Sequence, residues 1–221
     1  MTKIQWALLL LLGTGILQAH AAAAVPRNVD TILAHIEKHY AQKSFSAHFF
    51  QRSVLKAMDI TDTAAGIIRV KYPGKMRWDY DQPERQTLIT DGQRLWIYRP
   101  EENQVMTGKA PEIIGNGKGA SFLSDLSILR QKFRISLAVP ADAQFATLLL
   151  HPKNKTPGLK SATLKIDRNL WNIVAITTVN TYGDITKIVF RDIRFVPPLD
   201  DALFAFTIPP GADVVQMDGP Q

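Results

Sequence analysis

From Ser44 to Phe195 the chain falls into short runs that alternate apolar and polar residues, separated by turn residues, and a period of two dictates strands. Between Gly66 and Tyr72 the residues Ile68, Val70 and Tyr72 alternate with Arg69 and Lys71. Pro73-Gly74 then turns the chain, and Met76, Trp78 and Tyr80 alternate with Arg77 and Asp79. Runs joined by tight turns pair as an antiparallel meander with one apolar and one charged face. Gln86–Thr90 and Gln93–Tyr98 flank Asp91-Gly92, a strong two-residue hairpin signal because both central positions of a type I′ turn need positive φ. That loop predicts Leu88 opposite Leu95 and Gln86 opposite Ile97, with Ile89, Trp96 and Tyr98 on the other face. Both faces of this hairpin carry apolar residues, so the pattern leaves open which is concave. Further runs at Phe133–Val139, Phe145–His151, Leu159–Ile166, Leu170–Thr178 and Ile185–Phe195 bring the expected total to about ten strands.

Two segments break the period. Asn28 can cap a helix whose apolar positions Val29, Ile32, Leu33, Ile36 and Tyr40 share one face, with Asp30 in its first turn. After the glycine-rich stretch Gly115–Gly119, which reads as a hinge, Ser121 can cap a second helix with Phe122, Leu123, Leu126 and Leu129 on one stripe.

Lys3, the apolar run from Ile4 to Leu17 and the small residues ending at Ala21 follow the order of a secretory signal peptide, with cleavage expected after Ala21 or within Ala22–Ala24. The run is too short for a comfortable membrane span of about 20 residues. Residues 22–221 are expected to form one domain in the periplasm. Export permits disulfides, yet the chain has no cysteine, so its stability must come from a hydrophobic core, and no lipidated N-terminal cysteine can anchor it. The 26 Lys and Arg exceed the 20 Asp and Glu by 6, and loss of Lys3 with the leader leaves +5. These charges are scattered, which argues against a nucleic-acid partner and for weak attraction to anionic head groups.

Nothing in the sequence builds a catalytic centre. There is no cysteine nucleophile, no G-x-S-x-G elbow and no evident carboxylate pair. Gly115–Gly119 satisfies neither phosphate-loop pattern. His35 and His39 stand four apart, but no third ligand accompanies them, and they read as solvent-side residues. The expectation is a binding protein with no cofactor and no metal.

Four segments, in order, resemble the outer-membrane lipoprotein carrier (LolA) family: Phe45–Gln51, Gly66 through Arg77-Trp78 to Pro83, Asp91-Gly92 through Leu95-Trp96 to Pro100, and Phe204–Gly211. The resemblance implies a mainly β fold, an unclosed antiparallel β-barrel with a helical lid. It implies a monomeric periplasmic shuttle that receives acylated lipoproteins from an inner-membrane lipoprotein-releasing transporter and passes them to an outer-membrane receptor lipoprotein. The groove would be lined by Ile68, Val70, Tyr72, Met76, Trp78, Tyr80, Leu88, Leu95 and Ile97, and the lid by Ile32, Ile36, Phe122, Leu123, Leu126 and Leu129. The alternative for the same residues is an ordinary packed core, since apolar strand faces and helix stripes are usually that. One departure concerns cargo: the family has an arginine before the proline of the second segment, where this chain has Tyr72. Other functions on the same fold are carriage of a free lipid or glycolipid, or sensing of lipid or lipoprotein stress.

Overall fold

A computed structural model of the chain describes residues 28–110, 123, 125–139, 142–154 and 158–217, so the leader, the Gly115–Gly119 hinge, Ser121 and Phe122 lie outside the described residues. Helix α1 (Val29–Tyr40) begins where expected. The Asn28 side chain accepts the Asp30 N–H at 2.8 Å, and Gln42, at φ 55°, turns the chain out of the helix. Its stripe of Ile32, Leu33, Ile36 and Tyr40 is buried.

Among the described residues, twelve strands form one sheet. They are β1 (Ser44–Leu55), β2 (Ile60–Lys71), β3 (Lys75–Gln82), β4 (Gln86–Thr90), β5 (Arg94–Arg99), β6 (Gln104–Lys109), β7 (Phe133–Leu137), β8 (Phe145–Pro152), β9 (Ser161–Asp167), β10 (Ile173–Val179), β11 (Ile185–Val196) and β12 (Asp213–Gln216). Their order is β12-β6-β5-β4-β3-β2-β1-β11-β10-β9-β8-β7. The edge strands β12 and β7 do not meet, so the barrel is unclosed. Every pairing is antiparallel except that of β12, which runs parallel beside β6. Two meanders are thus joined where β1 pairs with β11. At the β2–β3 crossing the backbones come so close that a Cβ on Gly66 would collide with the carbonyl of Asp79, and only glycine fits.

Three expectations are corrected. The β4–β5 register pairs Leu88 with Ile97 and Thr90 with Leu95, two residues away from the predicted Leu88–Leu95 and Gln86–Ile97. The Asp91 carboxylate accepts the N–H groups of both Gln93 and Arg94, which holds a wider turn than the two-residue type. A shift of two keeps every side chain on its expected face. Second, β6 and β12 were not anticipated: β6 is short and ends in Gly108-Lys109, and β12 is exposed throughout and carries no alternation. Third, the second helix is confined, among the described residues, to α2 (Ile128–Lys132), with Leu123 and Leu126 ahead of it.

Register sorts the side chains of β1–β3 by face. Phe45, Ala47 and Phe49 stand opposite Val70, Ile68 and Gly66, and Ile68 and Val70 opposite Trp78 and Met76. This inner face packs on α1 and continues through Leu148, Leu164 and Ile176 of the second meander as one core. The outer face carries Arg77 and Asp79, paired at 2.9 Å. A second cover lies there. The C-terminal segment crosses it with Lys71 and Lys75 on Asp201 at 2.6 and 2.8 Å, Arg77 on the Leu203 carbonyl, and Phe206 against Trp96 and Tyr98. Hydrogen bonds from Lys71 and Lys75 hold the Asp201 carboxyl down to about 2. The hairpin is therefore apolar on both faces because both are covered: Leu88, opposite Trp78, is on the concave side, and Ile89 and Trp96 are on the convex side.

Candidate functional site

The concave wall is built by strand alternation. Ile68 and Val70 are fully buried, and Met76 and Trp78 are each 3% exposed. Aromatic rings plate its middle: Phe49 meets Trp78 at 4.7 Å and Tyr80 at 4.8 Å, and Phe190 of β11 closes on Trp78 at 6.1 Å. Edge-on arrangements at these spacings suit ring quadrupoles. Tyr72 and Leu88 pack on the same core, and register carries the inner rank on to Leu95 and Ile97. Phe49 and Phe190 were absent from the expected lining, although Phe49 alternates visibly within Phe45–Gln51.

Ile32 and Ile36 of α1 reach 0% exposure against this wall, and Leu123, Leu126 and Leu129 share the same core. The apolar surface is thus occupied by the protein's own side chains. Arg130 of α2 ties the two helices together across their outer side. Its guanidinium donates to the Asp30 carboxylate at 2.6 Å, to the Asp30 carbonyl at 3.1 Å and to the Glu37 carboxylate at 2.9 Å. The bonds to Glu37 and then Asp30 raise the pKa of Arg130 further. Lys153 in turn donates to the Arg130 carbonyl at 2.8 Å. No sequence pattern announces this clamp, whose partners are some 100 residues apart.

His35 is exposed, as expected, whereas His39 is half-buried and does not simply face solvent. His35 stacks on Trp171 at 4.1 Å, while His39 bonds Asn172 at 3.0 Å and meets Phe195 edge-on at 4.5 Å. Burial, chiefly, lowers the His39 pKa; the Asn172 bond opposes this and Lys43 adds to it. Below them the Tyr40 hydroxyl accepts the Ile173 N–H at 2.9 Å, and burial pushes its pKa up. Among the described residues no His, Cys, Asp and Glu cluster could hold a metal.

Past Tyr80 the inner face changes character. A polar depression of about 420 Å³ opens there, lined by Gln51, Asp62, Tyr80, Gln86, Arg99 and Glu102 among others. Tyr80 donates to Gln51 at 3.4 Å, and burial pushes its pKa up to about 12. The trough therefore runs from an apolar, filled end to a polar, open one, an arrangement that matches an amphiphile.

Residues 41–207 match the family described as outer membrane lipoprotein carrier protein LolA. A relative named outer-membrane lipoprotein carrier protein from Pseudomonas paraeruginosa is 28% identical over 207 residues, 94% of each chain. Another of the same name from Dechloromonas aromatica is 31% identical over 173 residues, 78% of this chain and 81% of the relative. Among solved structures, an uncharacterized conserved protein from Thermus thermophilus superposes with a TM-score of 0.55 at 12% identity, covering 85% of this chain and 98% of that one. At that identity the likeness concerns the fold alone.

Proposed function

The chain belongs to the outer membrane lipoprotein carrier family, and from that premise we propose that it is a periplasmic carrier holding the acyl chains of lipoproteins against the wall of Ile68, Val70, Met76 and Trp78. The observation that carries this reading is that the wall and the Ile32–Ile36 stripe of α1 are both buried and belong to one hydrophobic core. Each acyl CH₂ removed from water is worth about 0.8 kcal/mol, so a carrier needs a large apolar wall. It also needs a way to let go. α1 and the segment carrying Leu123, Leu126 and Leu129 act as the lid: their side chains replace the lipid when it leaves, so the empty state is not left with exposed apolar surface.

In this reading residues 1–21 are removed on export and residues 22–221 act as one domain and as a monomer. Cargo comes from an inner-membrane lipoprotein-releasing transporter and goes to an outer-membrane receptor lipoprotein. No covalent step and no cofactor is involved. The test is to purify the protein from the periplasm of its own cells and extract it for mass spectrometry. Acylated lipoprotein in the extract is the expected result; free lipid alone, or a protein that takes up no acyl chain, overturns the reading.

A further inference from the structure

The apolar wall holds a fully buried hydroxyl with nothing to bond. Among the described residues the Tyr72 hydroxyl is the one buried side-chain nitrogen or oxygen without a hydrogen-bond partner. Tyr72 continues the inward rank of Ile68 and Val70, packs on the core, and lies with its ring 6.0 Å from that of Tyr40. The polar groups near it are engaged elsewhere. The Tyr40 hydroxyl accepts from Ile173, and the Asp125 carboxylate accepts both the N–H and the hydroxyl of Ser127. Phenylalanine would fill the same space without stranding a donor, so the hydroxyl does not serve the filled, lipid-free arrangement.

We propose that the Tyr72 hydroxyl donates a hydrogen bond to an acyl carbonyl of the cargo, ester or amide, once α1 and the segment of Leu123, Leu126 and Leu129 have moved off the wall. This rests on the carrier reading. Hydrocarbon asks nothing of a wall except contact, but the carbonyl at the head of each acyl chain loses its water on entering and needs a donor. Ile68, Val70 and Met76 beside it offer none. The hydroxyl thereby favours acyl chains over alkyl chains of equal length.

The experiment measures binding of a dioctanoyl-glyceryl cysteine amide and of its dioctyl-ether counterpart to the full-length exported protein and to Tyr72→Phe, with thermal unfolding of both proteins. The wild type is expected to bind the ester about tenfold more tightly than the ether, the worth of one hydrogen bond. Tyr72→Phe should bind both alike, at the ether's affinity, with an unfolding temperature equal to or above the wild type's. Equal binding of ester and ether by the wild type, or an ester preference that survives in Tyr72→Phe, overturns the proposal and leaves the carrier reading standing. A wild type that binds neither lipid overturns the carrier reading and this proposal with it.

Discussion

His39 is held between Asn172 and the ring of Phe195, and there it is worth more neutral than charged. Its folded pKa is lowered, chiefly by burial, so the unfolded chain takes up the proton first as pH falls. The stability it contributes is complete above the unfolded value of about 6.5 and is lost as pH falls through the lowered folded value. The unfolding temperature should therefore drop as pH falls below about 6.5, and drop less in His39→Gln. Identical pH profiles for the two proteins would exclude this role. The spacing of His35 and His39 was legible as a pair on one helix, but their function was not. Trp171 and Asn172, which they touch, lie some 133 residues further along the chain, and no local pattern links the two segments.

Helix α1 and the strands β2 and β3 were legible because each repeats its own period and carries its own boundary signal, Asn28 in one case and Pro73-Gly74 in the other. The β4–β5 register was not, since the Asp91 side chain decides the width of the turn and composition alone does not reveal what it bonds. The α2 clamp was equally hidden. Arg130, Asp30 and Glu37 are solvent-accessible, and exposed ion pairs of this kind are worth about 0–1 kcal/mol, so Arg130→Ala should hardly lower the unfolding temperature. Its effect should be local. Amide hydrogen exchange in Val29–Tyr40 is expected to speed up in Arg130→Ala, and 1 M salt should bring the wild type most of the way to the variant, about 3 Å being the screening length there. Unchanged exchange in α1 would show that Arg130 does not hold the two helices together.

On the proposed carrier reading, lid and cargo compete for one wall, and two substitutions separate their effects. Ile36→Ala removes buried methyl groups from the lid side, costing the lipid-free state about 2–4 kcal/mol. It should lower the unfolding temperature yet raise affinity for an acyl ligand at least several-fold, because the competitor is weakened. Trp78→Ala removes the wall itself and should lower both. If Ile36→Ala loses affinity along with stability, α1 is part of the binding surface and not its rival. The alternation of Ile68, Val70, Met76 and Trp78 and the stripe of α1 were fully written in the chain, since periods of two and 3.6 depend only on neighbours. Tertiary contact alone decided that these two ranks face one another, that the C-terminal segment covers the opposite side of the β4–β5 hairpin, and that Tyr72 is left without a partner. Each of those outcomes depends on residues far apart in the chain, and only the packed sheet brings them within reach.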